Sequence, residues 1–79
     1  MVRLYLYGTE HCHLCDEAEA LIQAFKPFAR EPFELLKRDI IDNESWYQRY
    51  ETRIPVLENS DTRKVIDWPF TESDLIALL

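Results

Sequence analysis

The stretch "VRLYLYGTEHCHLCDEAEALIQAFKPF", Val2 to Phe28, decides how this 79-residue chain folds. Its first seven residues, Val2 to Gly8, are rich in β-branched, aromatic and aliphatic side chains and end at the only glycine, which reads as a β-strand. Near-continuous apolarity predicts a central strand covered on both faces. After the turn Thr9-Glu10-His11 the period changes. Leu14, Ala18, Leu21, Ile22, Phe25 and Phe28 recur at helical spacing, so one amphipathic helix is expected, ended or kinked near Pro27. Asp16, Glu17 and Glu19 lie in its first turns, where the helix dipole favours acids.

The remaining elements follow from the same signals. Pro32 to Ile40 reads as a second strand. Asp42 or Asn43 can cap a short helix carrying Trp46, Tyr47 and Tyr50, aromatics expected in the core. That helix must stop by Ile54, because Pro55 disfavours helix at the residue before it. Pro55 to Asn59 is a third strand, Asn59 to Thr62 a turn, and Lys64 to Asp67 a fourth strand forming a hairpin with the third. Thr71, with Asp74 three residues on, approximates a capping box for a last helix carrying Leu75, Ile76, Leu78 and Leu79. The order is β-α-β-α-β-β-α in one domain, residues 1–79. A right-handed βαβ crossover plus a hairpin predicts an α/β fold, a four-stranded mixed sheet with helices on both faces.

Composition narrows the function classes. Fifteen acidic against nine basic residues give a net charge of −6, a poor electrostatic partner for nucleic acid or anionic membrane. The N-terminal apolar run ends at Gly8, too short for a signal-peptide core or membrane span. The simplest location is the cytoplasm and the simplest state a monomer. Stable disulfides are rare in the cytosol, so two cysteines at C-x-x-C spacing point there to redox chemistry or metal.

Both cysteines and both histidines fall in "HCHLC", His11 to Cys15. Cys12 lies where the first strand turns into the first helix, and Cys15 one helical turn further on, so the sulfurs share a face. The unpaired N–H groups and partial positive charge of a helix N-terminus favour a thiolate at Cys12. Cys15, deeper in the helix, suits a shielded resolving thiol. His11 and His13 would add to this as imidazolium, while Glu10, Asp16 and Glu17 oppose it; solvated loop histidines are the alternative. Zinc wants four ligands, and no Cys or His exists beyond Cys15. No metal is therefore expected within one chain, although a dimer could share a metal or iron–sulfur cluster.

Three segments, "YLYGTEHCHLC" (Tyr5 to Cys15), "RDIID" (Arg38 to Asp42) and "TRIPVLEN" (Thr52 to Asn59), make the chain resemble the thioredoxin superfamily and, by size, a glutaredoxin. "CHLCDEAE" with "RIPVL" resembles bacterial glutaredoxin-like proteins of poorly defined function. The resemblance implies a thioredoxin-like fold, a redox-active Cys12/Cys15 pair, and a cis Pro55 opposite the dithiol. It also implies that the backbone of Ile54 pairs with an extended substrate. The chain departs from glutaredoxins in carrying C-H-L-C where they usually have C-P-Y-C. Glu10 and His11 precede Cys12 where they typically place a basic residue. Glycine-free "DWPFTES", Asp67 to Ser73, stands in place of their Gly-Gly pair. Bulky Trp68 and Phe70 there can fill the space for glutathione's γ-glutamyl end. N–H groups at Thr71 and Glu72 could meet a carboxylate that the Glu72 side chain would repel, and Arg49 or Arg53 could still meet one, so glutathione stays a candidate reductant or substrate. Trp68 and Phe70 read either as an apolar lip for a protein partner or as core beneath the last helix.

The expected function is thiol–disulfide exchange on a protein or small-molecule disulfide such as glutathione disulfide. Cys12 and Cys15 would be catalytic; His11, His13, Arg53, Ile54, Pro55, Trp68 and Thr71 would contact substrate. No organic cofactor is required. Two rivals from other classes are a redox-responsive partner-binding module and a dimeric metal or iron–sulfur carrier.

Overall fold

A computed structural model describes residues 1–79. Strand β1 (Val2–Gly8) is followed by helix α1 (His13–Phe25), strand β2 (Phe33–Asp39), helix α2 (Glu44–Tyr50), strands β3 (Val56–Asn59) and β4 (Val65–Asp67), and helix α3 (Glu72–Leu78). The sheet order is β2-β1-β3-β4. β1 pairs parallel with β2, with Gly8 opposite Asp39, and antiparallel with β3, with Tyr7 opposite Val56. β3 and β4 form the antiparallel hairpin, Val56 opposite Asp67. This is the mixed four-stranded α/β architecture of the thioredoxin-like fold, with the apolar strand β1 inside the sheet.

Alternation along β1 divides the core. Leu4 and Leu6 face α1 and α3 and join a cluster of eleven buried residues that includes Ala18, Ile22, Phe25, Phe33, Leu57 and Leu75. Tyr7 faces the other way, onto α2, and joins only Ile40, Tyr50 and Val56. Each large side chain buried in this way stabilises the fold by about 1.5–3 kcal/mol, so the α1/α3 side carries most of the hydrophobic stabilisation.

Three details of the sequence reading are corrected. Helix α1 buries Cys15, Ala18, Ile22 and Phe25, whereas Leu14 is exposed: Cys15, not Leu14, lies in register with the buried face. Phe28 is also exposed, because Pro27 sits in a 3-10 turn, Lys26–Phe28, that takes the chain off the helical repeat before Phe28 can face the sheet. Among the aromatics expected in the core near α2, Tyr50 is buried and Trp46 half-buried, but Tyr47 faces solvent. Of the two candidate caps for α2, Asn43 is the one that accepts the Trp46 N–H, at 3.2 Å. The capping box of α3 is formed by Thr71 and Asp74 reciprocally, at 3.2 and 2.8 Å. Buried Asn59 secures the far end of α3, its side-chain amide donating to the Leu78 carbonyl at 2.8 Å.

Candidate functional site

The register brings four chain segments to one end of the sheet. β1 and β2 end there at Gly8 and Asp39, β3 begins there after Pro55, and β4 ends there at Asp67. The β1–α1 turn with Cys12, the Ile54–Pro55 segment and Trp68 therefore all lie at that end. The Ile54–Pro55 and Trp68–Pro69 peptide bonds are both cis.

Cys12 is the N-cap of α1. Its backbone is extended, and its sulfur accepts the N–H of Cys15 at 3.1 Å. A serine or aspartate oxygen normally takes this position, satisfying one of the unpaired donors at a helix start. Here a sulfur receives that hydrogen bond at the positive end of the helix. Cys12 is half-buried and Cys15 buried, with a Cα–Cα separation of 5.2 Å, and the two are joined by a disulfide. The single glycine explains how Cys15 reaches its place. A β-carbon at Gly8 would lie 2.8 Å from Cys15 Sγ and 3.2 Å from its Cβ, so the strand end must be bare for the second sulfur to pack against it. A cavity of about 150 Å³ bordered by Gly8, Cys15, Glu19 and Lys37 lies beside this residue, with Lys37 Nζ 3.2 Å from Glu19 Oε1.

The residues read from sequence as substrate contacts are placed unevenly. His11 is exposed and takes left-handed backbone, φ 61°, just ahead of the cap. His13 is exposed in the first turn of α1, its Nε2 3.3 Å from Glu17 Oε2. Arg53 binds Asp67 through two hydrogen bonds, Nε to Oδ2 at 2.9 Å and Nη2 to Oδ1 at 2.7 Å. That fork holds the Asp67 carboxyl below its ordinary value and ties the segment before Pro55 to the end of β4. A second tie is the Trp68 N–H, which donates to the Pro55 carbonyl at 3.1 Å. Ile54 is half-buried, and its N–H donates to Tyr50 O at 3.1 Å. Trp68 is half-buried, edge-on to Phe70 with ring centroids 5.0 Å apart, and Phe70 itself is core. Thr71 is engaged in capping α3. No group of three or more His, Cys, Asp or Glu side chains is assembled for a metal ion. No helix is long and apolar enough to cross a membrane.

Sequence reasoning passed over Gly8 as a packing partner of Cys15, although a lone glycine at a strand end beside the dithiol turn was the available signal. It also left out Asp67, the partner that fixes Arg53.

The sheet order together with a dithiol at the N-cap of the first helix defines a thioredoxin-fold protein of redox type. The chain belongs to the glutaredoxin-like domain family (DUF836), whose model matches residues 3–79. It is similar to protein XcR50 from X. campestris, at 37% identity and a TM-score of 0.70 over 94% of this chain and 91% of that one. It is also similar to protein Ne2328 from Nitrosomonas europaea, at 34% identity and a TM-score of 0.79 over 96% of this chain and 87% of that one. Thioredoxin 1 from Thermosipho africanus shares the fold, with a TM-score of 0.61 at 20% identity over 96% and 88% of the two chains.

Proposed function

We propose that this chain is a thiol–disulfide oxidoreductase with Cys12 as nucleophile and Cys15 as resolving thiol. The observation that carries the reading is the sulfur N-cap: Cys12 Sγ accepts the Cys15 N–H at the start of α1 while its partner sulfur is buried against Gly8. With the disulfide reduced, the same N–H and helix end favour a thiolate at Cys12.

Cys12 thiolate attacks one sulfur of a substrate disulfide. A Cys12–substrate bond forms, the substrate disulfide breaks, and the departing thiolate takes a proton from solvent. Cys15 then loses its proton and attacks Cys12 Sγ, forming the internal disulfide and releasing the second substrate thiol. Two electrons pass from the dithiol to the substrate, and an external thiol such as glutathione restores the reduced pair. The chemistry needs no resident organic cofactor. A protein disulfide or glutathione disulfide is the proposed substrate, received at the end of the sheet beside Ile54, Pro55 and Trp68. Arg53 acts there chiefly by holding the Pro55 segment to Asp67.

Turnover with insulin and with a mixed glutathione disulfide tests the assignment. Wild type is expected to reduce at least one of them, and Cys12→Ser to fall to background. Cys15→Ser is expected to accumulate a mixed disulfide through Cys12. Wild type no faster than Cys12→Ser would sink the catalytic reading; trapping through Cys15 would reverse the roles.

A further inference from the structure

On the α2 side of the sheet, away from the dithiol turn, lies an open cavity of about 460 Å³. This is the size range of small-molecule sites. Three arginines, Arg38, Arg49 and Arg63, border it against one carboxylate, Glu58, in a chain whose net charge is −6. A local excess of positive charge on an acidic molecule is a specific placement rather than a property of the whole surface.

The arginines are not equivalent. Glu58 is buried and already satisfied: Tyr7 Oη donates to one oxygen at 2.6 Å and Arg63 Nε to the other at 3.1 Å. Arg38 receives no carboxylate. Its Nη1 donates to the neutral phenol oxygen of Tyr7 at 2.9 Å, and it forms no ion pair, nor does Arg49. Instead the Arg38 Cζ lies over the Tyr5 ring, 3.5 Å from its centroid, with the Trp46 centroid at 4.7 Å. Cation–π contact holds a guanidinium through its ring partners, and apart from the Nη1 bond to Tyr7 it leaves the remaining N–H donors of Arg38 for a carboxylate or phosphate. Arg63 takes left-handed backbone, φ 66°, in the β3–β4 turn, where its N–H donates to the Asn59 carbonyl at 2.8 Å, and from there its side chain reaches Glu58.

We propose that this cavity is a binding site for a small organic dianion, a phosphate monoester or a dicarboxylate. Arg38 is its held fork and exposed Arg49 its second cation, with Arg63 neutralising Glu58 so that the anion is not repelled. The site is separate from the dithiol and stands whether or not Cys12 turns over substrate.

The test is a ¹H–¹⁵N NMR titration of the full chain at neutral pH in about 150 mM salt, where loose surface attraction is screened beyond about 8 Å. The probes are sn-glycerol 3-phosphate, inorganic phosphate and succinate. Saturable shifts are expected for the Trp46 indole and for amides of Tyr5 and Arg38. Losing charged hydrogen bonds should make Arg38→Gln weaken binding by about tenfold or more. Arg49→Gln, an exposed change that leaves Arg38 in its stack, weakens it by a smaller factor; Arg30→Gln, outside the cavity, leaves it unchanged. Saturation by the phosphates alone assigns a phosphate ligand, by succinate alone a dicarboxylate, and by both an oxyanion site without further selectivity; all three support the proposal. It is overturned if no probe saturates up to tens of millimolar. It is also overturned if the shifts spread over basic side chains generally, or if binding survives Arg49→Gln and Arg38→Gln undiminished.

Discussion

At the scale of single residues, Gly8 and Tyr7 are neighbours on β1 that face opposite layers and constrain different things. Gly8 is bare because Cys15 needs the space. Gly8→Ala puts a methyl group 2.8 Å from Cys15 Sγ, so the sulfur or the strand end must move. The expected cost is about 1–3 kcal/mol in the reduced protein, the range for overpacking a filled site. In a Cys15→Ala background the 2.8 Å contact with the sulfur is gone and only the 3.2 Å approach to the β-carbon remains, so the same change should cost clearly less, partly offset because alanine narrows the unfolded ensemble relative to glycine. Urea denaturation of the four proteins closes this cycle; an undiminished cost without the sulfur would show that Gly8 is needed for its backbone instead. Tyr7 is pushed up from 10.0 to about 12, first by burial, then by its hydrogen bond to Glu58, with Arg38 pulling the other way. The folded protein thus keeps this proton more tightly than the unfolded chain. The stability it supports is intact below pH 10 and is lost as pH rises toward 12, to the extent of roughly 2–3 kcal/mol. The urea midpoint of wild type should fall more steeply over that window than that of Tyr7→Phe; parallel slopes would contradict the assignment.

Among elements, the strands, their order and the capped helices were legible because each rests on a local signal: period, breaker or cap. The first strand's near-continuous apolarity marked it as central, and Thr71 with Asp74 marked the start of α3. What stayed hidden depended on pairings distant in sequence. Nothing local shows that Glu58 is buried and bonded to Tyr7, fifty-one residues away, or that Arg53 is held by Asp67. At the dithiol, the sequence placed Cys12 at the helix start, but the bare strand end behind Cys15 emerges only when β1 and α1 are packed together. The Arg53–Asp67 fork is the element-scale tie between the Pro55 segment and β4. Both side chains are more than a third exposed, which limits the pair to about 1 kcal/mol or less. Asp67 is held below its usual 3.8 by the Arg53 hydrogen bond, so its contribution is present above that value and disappears as pH falls through the lowered one. Asp67→Asn should therefore be less stable than wild type at neutral pH, with the gap closing below about pH 4. Thermal melts across pH 2–7 would follow it, and a gap that persists unchanged at the acid end would assign the effect to packing instead of charge.

For the molecule as a whole, the sheet divides stability from chemistry unequally. Eleven buried residues lie on the α1/α3 side and four on the α2 side, so the two layers cannot resist opening equally. Local opening free energies scale with the apolar contacts that must be broken. The α2 layer, with a seven-residue helix over a partly polar sheet face, should open well before the layer that carries the dithiol helix. Native-state hydrogen exchange is expected to show the amides of Leu6, Ile22 and Leu57 exchanging only with global unfolding, and those of Tyr47 to Tyr50 faster by roughly a hundredfold or more. Equal protection of the two layers would mean that α2 is held by something beyond its four-residue cluster. If the oxyanion cavity is occupied, the exchange rates should report it: sn-glycerol 3-phosphate bridging Arg38 on β2 and Arg49 on α2 must leave before the α2 layer opens, so the α2 amides should slow by the same factor as the globally exchanging Leu6, Ile22 and Leu57. A ligand that slowed Leu6, Ile22 and Leu57 but left the α2 amides at their free rates would remain bound when that layer opens, and would place the binding energy elsewhere in the molecule.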